Sequence, residues 1–128
     1  MVQSTRFAPQ LWVHDVIETA EWYRDVLGFS FNGFFGDPPA FVILDRDGIR
    51  LMFRTAGEAQ LPLRSNWARA GDLTDLYFYV DDVTGVTADL KSKGVEIVRE
   101  PALQSYAIKE LQVRDCNGRV LTFGQAMG

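Results

Sequence analysis

The stretch LWVHDVIETAEWYRDVLGFSF, Leu11 to Phe31, decides the fold, because its order of features returns in LYFYVDDVTGVTADLKSKGVEIV, Leu76 to Val98. In the first copy an alternating run over residues 7 to 13 ends on the β-branched Val13 and reads as a strand. Asp15 then stands where a helix N-cap is wanted, and Glu18 sits in the matching capping-box position. Val16, Ala20, Tyr23 and Leu27 recur at helical spacing and give one apolar stripe. Gly28 supplies the stop, since only glycine takes the left-handed conformation cheaply. Strand-like pieces follow at Phe29 to Phe31, Phe41 to Leu44 and Ile49 to Phe53. The DRDG between the last two is a hairpin turn, with Gly48 at a positive φ.

Val80, Asp82 and Val83 repeat Val13, Asp15 and Val16 at one constant offset, and Gly94 repeats Gly28 one residue sooner. Further on, DCNGRVLTF from Asp115 repeats DRDGIRLMF from Asp45. The second copy therefore predicts a strand at Leu76 to Val80, a helix from Asp82 to Lys93 and a stop at Gly94. Strands at Val95 to Val98, around Lys109 to Arg114 and at Val120 to Phe123 complete it. So small a drift over half a chain means two structural copies with insertions and deletions in loops. The expected fold is α+β: two βαβββ modules in one domain, module one about 5–56 and module two about 74–126. The intervening stretch, about 57–73, is rich in Gly, Pro and polar residues and reads as a linker.

The chain of 128 residues, 47% of them hydrophobic and nine of them Phe, is enough for one ordinary core. Its net charge of −4 argues against a nucleic-acid footprint. No apolar run reaches the roughly 20 residues of a membrane-spanning helix, and the N-terminal residues lack the pattern of a secretory signal. A single cysteine, Cys116, rules out an intramolecular disulfide and suits a reducing compartment, so the expected location is cytoplasmic.

Alternation assigns faces to the strands. Phe7, Leu11 and Val13 should lie under the first helix, leaving Gln10 and Trp12 on the opposite side. By the same rule Arg50, Met52 and Arg54, then Asp75, Tyr77 and Tyr79, and finally Glu110, Gln112 and Arg114 face a cleft. Aromatic faces offer stacking area and polar tips at low rotamer cost, which suits a planar or aromatic small molecule. No acid, base and nucleophile converge. His14, the only histidine, falls just ahead of the helix cap, where a solvated role is expected. Cys116 sits in a tight turn and reads as a turn residue, not a nucleophile. Trp67, in the linker, is a candidate lid over the cleft or a dimer contact.

Paired βαβββ modules with the helix start hDV, the helix stop LGF and the D-x-[DN]-G turn resemble the vicinal oxygen chelate superfamily. It includes glyoxalase I, extradiol dioxygenases, fosfomycin-resistance enzymes and bleomycin-resistance proteins. WYRDVLGFSF and YAIKELQVRDCNGRVLTFGQ look most like the bleomycin-resistance branch. The resemblance implies a glyoxalase-like concave sheet in a homodimer that binds a small molecule. It places the ligand positions of the metal-dependent members at Ala8, Met52, Asp75 and Thr122, of which only Asp75 is a normal donor. No metal and no cofactor are therefore expected. The resemblance also puts Tyr77 and Tyr79 at cleft aromatics, and Tyr106 beside a family tryptophan that is Ala107 here. Arg50, Arg54 and Arg114 make this cleft less acidic than a cationic drug would want. The favoured reading is an antibiotic-resistance type of protein that sequesters an aromatic or amphipathic compound. The alternatives are a lyase, isomerase or dioxygenase of the same superfamily, metal-dependent or using Asp75 and Glu110 as acid and base, and an assembly accessory that uses the fold only for pairing.

Overall fold

The structure is a computed structural model that describes residues 2–70 and 73–128. The chain folds as two compact units, one ending at Leu63 and one beginning at Arg64. Unit one holds β1 (Gln10–Val13), α1 (Val16–Leu27), β2 (Phe41–Arg46) and β3 (Ile49–Thr55), with a 3₁₀ turn at Glu58–Gln60. Its sheet runs β1-β3-β2, β1 parallel and β2 antiparallel to β3. Unit two holds α2 (Asn66–Ala70), β4 (Leu76–Tyr79), α3 (Val83–Ser92), β5 (Ile97–Leu103), β6 (Ile108–Arg114) and β7 (Val120–Ala126). The sheet order there is β4-β7-β6-β5, with β4 parallel to β7.

Local chemistry explains the helix limits. The Asp15 carboxylate accepts from Ile17 N at 2.7 Å and Glu18 N at 3.2 Å, covering two of the orphan N–H groups of α1. Gly28, at φ 75°, ends the helix. Beyond it Phe29 N donates back to Tyr23 O at 3.1 Å, and the two rings pack edge to face. Asp82 caps α3 through Gly85 N at 2.9 Å. The two units also fasten helix to sheet in the same place. Val16 N donates to Thr55 Oγ1 at 3.2 Å in unit one, and Val83 N to Gln125 Oε1 at 2.9 Å in unit two. Thr55 and Gln125 occupy equivalent places at the ends of the last strands of the two copies.

Each helix buries its stripe on one face of its own sheet. Tyr23 is fully buried and meets Phe53 at 5.0 Å between ring centres, beside Val42, Leu44 and Leu51. In unit two Val83 and Leu90 face the layer formed by Leu111, Val113, Leu121 and Phe123, and Phe78 stacks on Phe123 at 5.1 Å. Burying each such side chain stabilises the unit by about 1.5–3 kcal/mol. Among the described residues neither α1 nor α3 covers the opposite face of its own sheet.

Four expectations need correction. Phe7 does not pack under α1; it is 82% exposed and precedes β1, which starts at Gln10. Phe29 to Phe31 do not form a strand, since only Ser30 makes a bridge, to Asp45. The linker is not all loop: it contains the 3₁₀ turn and α2, while its Gly71 and Asp72 lie outside the described residues. The strand expected at Val95 to Val98 is β5, which starts at Ile97 and runs on through Pro101 to Leu103. β5 is an edge strand with two register shifts against β6. Such bulges accommodate a proline and bend the strand away from its partner.

Candidate functional site

The face of unit two opposite α3 follows from its register. One rung across the four strands reads Tyr77, Thr122, Gln112, Arg99, and the next reads Tyr79, Gly124, Glu110, Ala102. Gly124 lets the two rungs interact. A Cβ built there would stand 2.8 Å from Tyr77 Cζ and 2.9 Å from Cε1, so no side chain fits under the ring. Lying across Gly124, Tyr77 donates its hydroxyl to Glu110 Oε2 at 2.5 Å. Desolvation holds the Tyr77 phenol well above the ordinary tyrosine value, and the bond to Glu110 adds to this. Tyr106 is raised as well, first by its own hydrogen bond to Glu110. Glu110 thus holds the Tyr77 hydroxyl and also raises the Tyr106 phenol. Tyr79 packs against Tyr77 at 5.0 Å between ring centres yet stays 76% exposed, and Tyr106 is 59% exposed.

Beside this cluster the bulged β5, β6 and the turn that joins them enclose a cleft of about 540 Å³. Arg99, Gln104, Tyr106, Glu110 and Gln112 are among its walls. Trp67, on α2, lies against Arg99, whose guanidinium carbon is 4.9 Å from the ring centre. The sequence placed Trp67 near the cleft without its partner Arg99, which stood beyond the expected end of β5. Nor did it assign Gly124, a small residue whose role depends on a ring one rung away.

Two of the expected cleft residues are engaged elsewhere in unit two. The Asp75 carboxylate accepts from Ser65 Oγ at 2.5 Å, Asn66 N at 2.7 Å and Val120 N at 2.8 Å. It ties the start of α2 to β7 and is not directed at the Tyr77 and Glu110 cluster. Arg114 pairs with Glu96 at 3.0 Å and donates to Gly118 O at 2.8 Å, at the turn end of the sheet.

In unit one the corresponding rungs are Gln10, Met52, Ile43 and Trp12, Arg54, Phe41. The Arg54 guanidinium lies over Phe41 at 5.0 Å. Arg50 binds Asp45 in a fork, Nε at 2.7 Å and Nη2 at 3.0 Å, and this hydrogen bonding holds the Asp45 carboxyl below its usual value. Asp45 and Arg50 border a second hollow of about 360 Å³, walled also by Phe31, Asn32, Phe34 and Phe35.

The metal positions of the family do not fit an ion. Ala8 carries no donor group and Met52 only a weak thioether. Thr122 is buried and its hydroxyl receives Gln112 Nε2, while both oxygens of Asp75 are already hydrogen-bonded. Among the described residues no three His, Cys, Asp or Glu side chains come together to hold a metal. His14 and Cys116 are both exposed, in a bend and a turn. None of the described helices is long and apolar enough to cross a membrane.

With this architecture in view, the chain belongs to the Glyoxalase/Bleomycin resistance protein/Dioxygenase superfamily, whose family model matches residues 5–122. No curated protein matches it. Among solved structures it is similar to TioX from Micromonospora sp. ML1, at 21% identity and TM-score 0.76, over 96% of this chain and 99% of that one. It is equally similar in fold to TnmS3, an antibiotic binding protein from Streptomyces sp. CB03234, at 19% identity and TM-score 0.76, over 98% of each chain. A glyoxalase/bleomycin resistance protein/dioxygenase from Nocardioides aligns at 15% identity and TM-score 0.71, over 99% of this chain and 86% of that one.

Proposed function

We propose that this protein sequesters an aromatic or amphipathic small molecule, of the kind an antibiotic-resistance protein takes, on the face of its second module opposite α3. In this reading the two modules form one domain, the protein is a homodimer in the cytoplasm, and the cleft works without a metal. The observation that carries it is the Tyr77 hydroxyl held on Glu110 beside a cleft of about 540 Å³ that Tyr106 also lines. Exposed tyrosine faces next to a fixed carboxylate give a planar guest both stacking area and orientation. The antibiotic binding named for TnmS3 supports the same direction.

Catalysis by acid and base is the second reading, and it would fall to Glu110, because Asp75 is held by Ser65, Asn66 and Val120. Glu110 already receives the Tyr77 hydroxyl, an arrangement better suited to holding a guest than to moving its protons. A thermal-shift screen of aromatic antibiotics and metabolites tests the proposal, since a ligand of the native state raises Tm. Tyr79→Ala should then weaken a hit by about tenfold, as a lost aromatic anchor does, and EDTA should change nothing. Conversion of the hit to a product, or near-stoichiometric metal in purified protein, would sink it.

A further inference from the structure

Gln112 is 7% exposed, and its Nε2 donates to Thr122 Oγ1 at 3.2 Å. Its Oε1 has no hydrogen-bond partner among the described residues. A buried amide oxygen without a donor is uncommon in folded proteins and marks the place of a missing partner. Its location indicates where that partner enters. Gln112 stands between Thr122 and Arg99 on its rung, and it lines the cleft together with Tyr106 and Glu110. The terminal torsion of a glutamine is soft, so the carbonyl turns readily towards a donor arriving from the cleft.

We propose that Gln112 Oε1 is the specificity element of this cleft and that the ligand is a planar aromatic bearing an O–H or N–H donor. This rests on the ligand-binding reading above and adds the group that is read. A guest that brings a donor gains a hydrogen bond the free protein lacks, whereas a guest without one leaves the acceptor as unmet as before, so the cleft prefers the donor.

The probes are 2-naphthol and 2-methoxynaphthalene, which share one planar frame and differ in the donor. Isothermal titration of the full chain should show 2-naphthol binding about tenfold tighter, the value of one buried hydrogen bond. Gln112→Met should bring the two within about twofold, and Gln112→Glu, which keeps an acceptor, should restore the preference. In the unaltered protein 2-naphthol, but not its ether, should shift the side-chain amide signals of Gln112 in a ¹H–¹⁵N spectrum, a readout that needs no variant. Equal or reversed affinities overturn this inference alone, as does a preference that survives Gln112→Met. No binding of either probe overturns it together with the reading on which it rests.

Discussion

The ring of Tyr77 crosses the backbone at Gly124 so closely that a Cβ there would stand 2.8 Å from Cζ, and beyond it the Tyr77 hydroxyl meets Glu110. Gly124→Ala should therefore displace the ring or strain the sheet. The expected cost is about 1–3 kcal/mol, as for other overpacked sites, read from urea denaturation. Ligand affinity should fall with it, because Tyr77 would no longer hold Glu110. A variant as stable as the parent, with Tyr77 still bound to Glu110, would show that the close approach does not matter.

The same bond makes an alkaline prediction. Tyr77 and Tyr106 are both raised above the ordinary phenol value. The folded chain then keeps these protons at a pH where the unfolded chain loses them. Their contribution to stability is complete below about pH 10 and is lost as pH rises through the folded values. Tyr77→Phe should flatten the alkaline fall in Tm. Tyrosine Cζ shifts by NMR check the cause: Tyr77 half-ionised at about pH 10 would refute it.

Asp75→Ala should destabilise the second unit by about 2–3 kcal/mol, since it strips the carboxylate from Ser65, Asn66 and Val120 N–H at once. Asp75→Asn keeps acceptor capacity and should cost less. Chemical denaturation measures both, and Trp67 fluorescence should change in Asp75→Ala, because Ser65 Oγ also receives Trp67 N at 3.1 Å. An unchanged metal content in these variants would separate this role from metal binding.

Acid should act on the first unit through Asp45. Its pKa is lowered by Arg50, so the pair supports the fold above the unfolded carboxylate value and is lost as pH falls through the folded one. Arg50→Gln should lower Tm slightly at neutral pH and leave it unchanged in strong acid. The difference should be small because Asp45 is half exposed. A gap that persists below the range of carboxylate titration would point to packing instead.

Helices and turns were legible in the sequence because their signals are local. Asp15, Gly28 and the Asp47–Gly48 turn each carry their own reason, and both turn residues have positive φ. Strand limits were less so, because a strand ends where its partner ends. Phe7 continues the alternation of β1, but the β1–β3 register starts only at Gln10 opposite Met52. β5 outruns its expected end because bulges at the sheet edge admit Pro101. At the site, alternation put Tyr77, Tyr79, Glu110 and Gln112 on one face. It could not reveal that Asp75 is tied to Ser65 and Asn66, or that Gly124 makes room for Tyr77, since both depend on side chains reaching beyond their own positions.

Thr55 and Gln125 perform one task with different chemistry, a hydroxyl in one copy and an amide in the other, each receiving the first helical N–H. Each half thus makes its own fastening, and neither depends on the side chain used by the other. Side chains on the face opposite each of α1 and α3 can then change while the fastening of helix to sheet stays as it is.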